Sequence, residues 1–172
     1  MNVTQTSLDP PHFPVMLKEI IEICSPKKGG NFVDCTFGGG GYSKELLKFP
    51  DTKVIALDRD TRAIAEAEKL KKKFSGRFSF YNEKFSNLDL ILNDKNTIDT
   101  FIFDLGISSY QLLDLDRGFS FKSNKRIDMN MGLSEISAEE VLNEVDEKNL
   151  KLIIKTFGEE KEGARIAKNI VR

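Results

Sequence analysis

The sequence predicts an α/β protein with a parallel sheet, followed by a helical region. Before Gly106, four short runs rich in apolar residues alternate with helical patterns, and three of these runs have an aspartate at or next to their carboxyl end. After Gly106 no further strand is predicted, and three helical patterns follow one another. Strands that alternate with helices form βαβ units, whose parallel strands have their carboxyl ends at one edge of the sheet.

The elements of the first region are predicted from hydrophobic periodicity and turn residues. In order they are a helix over 15–23, a strand over 31–35, a helix over 43–49, a strand over 53–57, a helix over 61–74, a strand over 77–81 and a strand over 98–104. In the helix over 61–74, one apolar stripe recurs at helical spacing, so we expect it to pack on the sheet. The stripe consists of Ile64, Ala67, Leu70 and Phe74.

The second region begins with residues 106–136, which read as a loop. Ser137 and Glu140 then form a capping-box pattern that opens a helix. A second helical pattern ends at Gly158, and a third begins around Glu160. Three consecutive helices break the alternation, which indicates a helical insertion or a separate helical subdomain. The last pattern runs to Arg172 without a stop residue, so we expect the chain to be part of a longer protein.

Composition narrows the functional classes. Lys and Arg number 26 against 27 for Asp and Glu, so any nucleic acid must meet a local patch, because the chain is not basic overall. Cys24 and Cys35 lack CxxC spacing, which predicts neither a metal site nor a disulfide. The start of the chain lacks a signal-peptide pattern, and no apolar run is long enough to span a membrane. We therefore expect a soluble, cytoplasmic protein without a metal or a membrane partner.

The stretch NFVDCTFGGGGYSKELL, residues 31–47, carries four consecutive glycines at a strand-to-helix turn. The dinucleotide fingerprint GxGxxG fails in both registers, because Ser43 and Lys44 stand where Gly or Ala is needed. The P-loop also fails, because no Gly-Lys-Ser/Thr follows at the required spacing. Two common nucleotide motifs are thus disfavoured, and a flexible turn remains the simplest alternative.

A different pattern does fit this stretch. Asp34, at the end of a strand, is followed at alternate positions by the small residues Thr36, Gly38 and Gly40. This is the pattern with which class I methyltransferases hold S-adenosylmethionine, with Thr36 at the position of the usual first glycine. That cofactor has no pyrophosphate, so the loop must mainly let the backbone approach it closely, as residues without Cβ permit.

Asp58 ends the predicted second strand, 18 residues after Gly40. An acid near this offset accepts hydrogen bonds from both ribose hydroxyls in dinucleotide and S-adenosylmethionine folds. The alternative is an N-cap for the helix starting at Thr61, but Asp60 lies closer to that position. We therefore favour the ribose role for Asp58.

Asp104 ends the strand over 98–104, on the rim where sulfonium and methyl acceptor should meet. Together with Asp34 and Asp58, it would give three carboxylates around a positively charged cofactor. The following residues do not form the Asp/Asn/Ser-Pro-Pro-aromatic motif of many amine methyltransferases, so this segment leaves the acceptor undecided. Methyl transfer needs alignment of the amine with the methyl carbon, and a carboxylate that accepts an N–H bond assists. Asp104 is our candidate catalytic residue for that task or for the adjacent cofactor contact.

At this point the sequence closely resembles one family, the MraW/RsmH-type methyltransferases of small-subunit ribosomal RNA. The matching segments are HFPVMLKE, DCTFGGGGYS, ALDRD, FSNL, DLGISSYQLLD, RGFSF, DMNM and FGEEKEGARIAKNI. The resemblance implies a class I S-adenosylmethionine-dependent methyltransferase with a Rossmann-like sheet, interrupted by a helical domain. It implies methylation of the N4 atom of a cytosine in the decoding region of 16S rRNA, within the small ribosomal subunit. Family members are longer, so residues 1–110 would be the N-terminal part of the methyltransferase domain, and residues 111–172 a connecting loop and the start of the inserted domain.

The resemblance also implies a set of cofactor contacts. They are Gly39, Gly40, Gly41, Tyr42, Asp58, Phe85, Asp104 and Gln111. Tyr42 stands where the family often has His. From the residues alone, Phe85 reads as a core aromatic after the third strand and Gln111 as a loop amide.

The segment RGFSFKSNKR, residues 117–126, mixes four cations with Phe119 and Phe121, as single-stranded RNA contacts do. A solvated loop with two anchoring rings is the alternative. His12, the only histidine, receives no catalytic role, because a lone histidine is more often structural. Three other functions stay open: a small-molecule methyltransferase, a nicotinamide oxidoreductase, which the broken fingerprint disfavours, and a cofactor-binding fragment without turnover.

Overall fold

The computed structural model describes residues 14–92, 97–134 and 136–172. The chain divides into two compact units, Met1–Tyr110 and Gln111–Arg172. His12 lies outside the described residues. None of the helices in the described ranges is long and apolar enough to cross a membrane.

The first unit contains a four-stranded parallel sheet with strand order β3-β2-β1-β4. Its elements are α1 (Leu17–Cys24), β1 (Gly30–Asp34), α2 (Gly41–Leu46), β2 (Thr52–Leu57), α3 (Ala63–Lys73), β3 (Phe78–Tyr81), α4 (Leu88–Ile91) and β4 (Thr100–Ile102). The next helix, α5 (Ser109–Leu113), begins in the first unit and ends in the second. Because β1 pairs with β2 on one side and with β4 on the other, the loops after these three strands leave the sheet at one edge.

Both faces of the sheet are covered, because alternate residues of a strand point to opposite sides. On one face, Phe32 and Val54 pack with the buried side of α3, including Ala67 and Leu70. On the other face, the smaller cluster contains Val33, Cys35, Leu57 and Leu92. The strands are therefore anchored by apolar burial on both sides, which fixes where their carboxyl ends lie.

The seven elements predicted before Gly106 are confirmed in type and order. The predicted helix over 43–49 begins earlier, at Gly41, because Gly40 makes the left-handed turn that opens it. The prediction that Ile64 packs on the sheet is wrong: its side chain is 39% exposed, and Ala63 is buried instead. The expectation of an unbroken loop over 106–136 is also wrong, because α5 lies within it.

The second unit is helical after residue 136. Its helices are α6 (Ala138–Glu144), α7 (Glu147–Phe157) and α8 (Gly163–Ile170). The predicted capping box is confirmed, since the Ser137 hydroxyl accepts from the Glu140 N–H and the Glu140 carboxylate accepts from the Ser137 N–H. Helices α7 and α8 pack together, with Leu150 and Ala167 buried. The predicted end of α7 at Gly158 is confirmed as well.

Both cysteines of the chain are free and buried. Burial raises the pKa of the Cys24 thiol. It raises the pKa of Cys35 to about 12, and the neighbouring Asp34 carboxylate adds to this shift. Neither thiol is therefore ionised near neutral pH, so both behave as small apolar side chains.

Candidate functional site

Three aspartates predicted from the sequence lie at the carboxyl edge of the sheet. Asp34 is the last residue of β1, Asp58 follows β2 directly, and Asp104 lies two residues after β4. Their surroundings differ: Asp34 is fully buried, Asp58 is partly buried, and Asp104 is exposed. The same residue type at equivalent strand ends therefore has three different environments.

Asp34 is buried and accepts hydrogen bonds from residues on both sides of the four glycines. Its Oδ2 accepts a hydrogen bond of 2.7 Å from the Ser43 hydroxyl, and its Oδ1 accepts from the Thr36 N–H at 3.4 Å. Loss of solvent raises the pKa of Asp34 to about 6, although the hydrogen bond from Ser43 opposes that shift. Because the Asp34 side chain has no exposed surface, it does not face a ligand. Of the three carboxylates expected around the cofactor, only Asp58 and Asp104 can therefore face it.

The glycines of the loop after β1 differ in how closely other residues pack against them. Gly40 has φ 75°, and a Cβ there would lie 2.7 Å from the Phe37 ring. A Cβ on Gly41 would lie 2.0 Å from Pro14, whereas one on Gly39 would lie 3.4 Å from Tyr110, an ordinary contact. Gly40 and Gly41 are thus constrained by packing within the protein, whereas the backbone remains approachable at Gly39 and at Gly38, where a Cβ would have only the Thr36 carbonyl oxygen nearby, at 4.0 Å.

Asp58 is held in one orientation by the backbone around it. Its Oδ2 accepts from the Gly38 N–H at 2.6 Å, and its Oδ1 accepts from the Asp60 N–H at 2.8 Å. Its own carbonyl accepts from Asn82 at 2.8 Å and from the Glu83 N–H at 3.1 Å. Burial raises the pKa of Asp58, and the two backbone hydrogen bonds to its carboxylate oppose that shift. Each carboxylate oxygen keeps a further lone pair, so the group can still accept two hydrogen bonds from a ligand diol.

Asp104 is fixed through residues far away in sequence. Its N–H donates to the Thr36 hydroxyl at 2.8 Å, so the residue that replaces the usual first glycine holds the backbone of Asp104. The Tyr42 hydroxyl lies 2.6 Å from the Val15 carbonyl and 3.3 Å from Asp104 Oδ2. The single hydroxyl proton is better placed for Val15, which leaves the Asp104 carboxylate able to accept elsewhere.

Tyr42 is buried, and its hydroxyl is committed to these two oxygens. Burial and the Asp104 charge raise the pKa of Tyr42 to about 12, so the phenol stays protonated. Its predicted contact with the cofactor stays a prediction. In the described structure, its side chain joins Val15, which precedes α1, to Asp104 at the sheet edge.

Phe85 forms an edge-to-face pair with Phe103, with ring centroids 5.5 Å apart and planes at 88°. The two rings are 43% and 47% exposed, so neither is a core residue. The pair offers an apolar wall of the kind that a purine ring packs against. Phe103 was not predicted from the sequence, although its place directly before Asp104 is the signal that points to it.

Lys44 lies beside the glycine loop, but its ammonium group is already paired with other groups of the protein. Its Nζ donates to the Gly39 carbonyl at 2.8 Å and lies 2.7 Å from Glu66 Oε1. A phosphate-binding loop needs a lysine that is available to its ligand. The geometry therefore agrees with the absence of a P-loop motif in the sequence.

A cavity of about 450 Å³ lies between α1 and β4. Its walls are largely apolar, with Ile20, Ile23 and Phe103 among them, and Tyr42 and Asp104 supply polar groups. Asp104 is therefore the acidic group of an otherwise apolar cavity. Within the described ranges, no cluster of three or more metal-binding side chains occurs.

Gln111, the last predicted contact, belongs to the second unit, where it is a buried residue of α5. Its cofactor role stays a prediction. In the 117–126 segment, Arg117 is buried, its guanidinium donates to the Asn130 carbonyl at 2.6 Å, and it lies 5.3 Å from the centroid of the Phe119 ring. Arg117 and Phe119 are thus part of the internal structure of that segment, while Phe121 is fully exposed.

The parallel sheet, with its glycine loop after β1 and a fixed carboxylate after β2, has the Rossmann-like fold of class I S-adenosylmethionine-dependent methyltransferases. The chain belongs to the MraW methylase family, whose model matches residues 9–172.

The names of two curated relatives agree with this family assignment. A protein named ribosomal RNA small subunit methyltransferase H from Zymomonas mobilis is 43% identical over 171 residues, which cover 98% of this chain and 52% of the relative. The protein of the same name from Rickettsia bellii is 46% identical over 161 residues, which cover 94% of this chain and 52% of the relative. This chain thus spans about half the length of the curated relatives it matches.

A crystal structure of an rRNA methylase from Streptococcus thermophilus is 21% identical to this chain, with a TM-score of 0.41. The match covers 51% of this chain and 54% of that one. The likeness is too partial to bear on the fold or the function.

Proposed function

We propose that this chain binds S-adenosylmethionine and forms part of an enzyme that methylates the N4 atom of a cytosine in the decoding region of 16S rRNA. Membership of the MraW methylase family supports methyl transfer. The names of the relatives support ribosomal RNA of the small subunit as the substrate. The cytosine and its position come from the family resemblance of the sequence.

The observation that carries the proposal is the fixed carboxylate of Asp58. Its two oxygens are oriented by the Gly38 and Asp60 N–H groups, at 2.6 Å and 2.8 Å. Asp58 would accept hydrogen bonds from the two ribose hydroxyls, and the exposed Phe85 and Phe103 rings would pack against the adenine. When bound, S-adenosylmethionine supplies an electrophilic methyl group on a sulfonium.

Asp104 would act on the methyl acceptor. The lone pair of a cytosine N4 is delocalised into its ring, so this amine is a poor nucleophile. A carboxylate oxygen of Asp104 would accept a hydrogen bond from the N4–H and stabilise the positive charge that develops there. Thr36 would hold the backbone of Asp104 in place for that bond. The target base would have to leave its stack to reach the carboxylate.

Isothermal titration with S-adenosylhomocysteine tests the cofactor site in this chain, in Asp58→Ala and in Glu68→Gln. Glu68 is an exposed acid on α3, so its variant controls for the loss of one negative charge. Removal of two charge-assisted hydrogen bonds should weaken binding about 100-fold in Asp58→Ala. Equal binding by Asp58→Ala and the unaltered chain, with circular dichroism showing both folded, would remove the cofactor assignment.

Labelled methyl transfer to small ribosomal subunits, using a full-length family member that contains this sequence, tests the reaction. Label on a cytosine amine supports the proposal. Label on metabolites alone would support the small-molecule alternative. Tight binding of S-adenosylhomocysteine without transfer to either would support a cofactor-binding protein without turnover.

A further inference from the structure

Phe121 is the most exposed large apolar side chain in the described part of the chain. Its exposure is 110% of the reference value, so no neighbouring atom covers the ring. Phe119, two residues earlier, is partly covered and lies under the Arg117 guanidinium. A fully exposed phenylalanine loses the free energy that burial would provide, so its position calls for an explanation.

The segment that carries Phe121 is braced on both sides of the ring. Before the ring, Arg117 donates to the Asn130 carbonyl at 2.6 Å and accepts from the Met129 N–H at 2.8 Å. After it, the Ser123 hydroxyl donates to the Leu115 carbonyl at 2.5 Å. The ring is thus presented by a loop whose shape is already fixed, which lowers the entropy cost of a contact made through it.

Gly118 allows the chain to turn tightly at this place. Its φ is 72°, and a Cβ there would lie 2.6 Å from the Arg126 carbonyl oxygen. The two ends of the segment therefore approach each other closely, which is how Phe121 comes to lie in the projecting part.

Of the cations near the ring, Lys122 is the one best placed to meet an anionic polymer, because Arg117 is buried and the other two lie beside carboxylates. Residues 117–126 contain four cations and no acid. Arg126 pairs with Glu139 at 2.6 Å, and Lys125 lies 3.8 Å from Asp116. Lys122 is next to the ring, and it makes no ion pair with any residue in the described part of the chain.

We propose that Phe121 is a stacking platform for one unpaired base of single-stranded RNA, and that Lys122 meets a neighbouring phosphate. The inference rests on the proposed function, because it takes RNA as the substrate. Every base has a π-face that stacks on an aromatic ring, and such contacts are made to splayed, single-stranded bases. A protein partner would favour a continuous apolar patch, whereas the direct sequence neighbours of Phe121 are Ser120 and Lys122.

Fluorescence anisotropy with a labelled single-stranded RNA of about twelve nucleotides tests the platform. The variants are Phe121→Ala, Phe121→Trp and Phe157→Ala, where Phe157 is a matched control that is 83% exposed in the same unit and precedes Glu159 and Glu160. Phe121→Ala should weaken binding about tenfold, while Phe121→Trp should preserve it, because indole stacks at least as well. Phe157→Ala should bind like the unaltered chain.

Salt dependence separates the ring from the charge. Lys122→Gln should make the negative slope of log affinity against log salt shallower by about 0.7, the value for one phosphate of a single strand. Phe121→Ala should leave that slope unchanged, because stacking releases no counterions. A slope change in Phe121→Ala as large as that in Lys122→Gln would overturn the stacking role.

Two further outcomes would also overturn the platform: equal RNA affinity of Phe121→Ala and the unaltered chain, or an equal loss in Phe157→Ala. If Phe121→Ala lost binding to small-subunit proteins stripped of RNA but kept its RNA affinity, the ring would be a protein contact instead. S-adenosylhomocysteine binding is measured for every variant. Failure of the unaltered chain to bind RNA while it binds S-adenosylhomocysteine overturns the platform alone, whereas failure to bind S-adenosylhomocysteine overturns the proposed cofactor site.

Discussion

The two units present their functional groups in opposite ways. In the first unit, Asp34 and Tyr42 are buried and act on other residues through hydrogen bonds that link distant parts of the chain. In the second unit, Arg117 is buried within a braced loop while Phe121 extends into solvent. The first arrangement is typical of a site that orients a small ligand, and the second of a surface that meets a large one. The first unit should therefore be sensitive to changes of a few atoms that leave the second unaffected.

The largest expected effect comes from adding one methyl group to the glycine loop. Gly41→Ala places a Cβ 2.0 Å from the Pro14 ring, so Pro14 or the glycine loop must shift, and we expect a loss of about 3 kcal/mol in unfolding free energy. Gly39→Ala is the matched control, because its Cβ meets Tyr110 at 3.4 Å and should cost less than about 1 kcal/mol. Urea unfolding of both variants measures the difference. Equal stabilities would show that the loop is not tightly packed.

The next effect is a pH dependence due to Asp34. Its folded pKa of about 6 lies above the ordinary value of about 4, so the native state binds more protons between these pH values. Its ionisation therefore lowers stability as pH rises from about 4 through 6, by on the order of 2 to 3 kcal/mol. Asp34→Asn, which cannot ionise, should lack that decline when urea unfolding is followed from pH 4 to 7. The same slope in both proteins would mean that the carboxylate is not desolvated.

A smaller effect follows from the hydrogen bond between Thr36 and Asp104. Thr36→Val keeps the shape but removes the acceptor of the Asp104 N–H, so Asp104, which is also a predicted cofactor contact, is no longer held and S-adenosylhomocysteine affinity should fall about tenfold. Thr36→Ser retains the hydroxyl and should restore most of the affinity, as titration calorimetry would measure. If Ser and Val weakened binding equally, packing of the Thr36 methyl group would be the cause, and Thr36 would not position Asp104.

The smallest effect is expected in the second unit, where the contacts are local. Ser137→Ala removes the hydroxyl that accepts from the Glu140 N–H, at a cost of about 1 kcal/mol. Helical circular dichroism with urea measures this loss, and S-adenosylhomocysteine affinity should not change. A change in cofactor affinity as large as that of Thr36→Val would contradict a purely local role for the Ser137 cap.

Local patterns explain what could be predicted from the sequence. The capping box of Ser137 and Glu140 spans four residues, and the end of α7 at Gly158 follows from one residue type. The order of strands and helices follows from the hydrophobic periodicity of each segment and from the turn residues between segments. The aspartates at the strand ends could be located for the same reason, because a strand ends where its apolar run ends.

Contacts between distant residues explain what could not be predicted. The bond from Asp104 to Thr36 joins residues 68 positions apart, and that from Tyr42 to Val15 joins residues 27 apart. The burial of Asp34 depends on packing around β1, which no pattern in residues 31–47 reports. α5 was missed because its five residues are too few for helical periodicity to emerge.

The two buried thiols described above have a practical consequence. Because burial keeps Cys24 and Cys35 protonated near neutral pH, maleimide reagents should react with them slowly. A cysteine introduced by Lys122→Cys, exposed beside Phe121, would then be the preferred site of labelling. An environment-sensitive dye attached there would report the arrival of a base at the ring directly, without removal of either native cysteine.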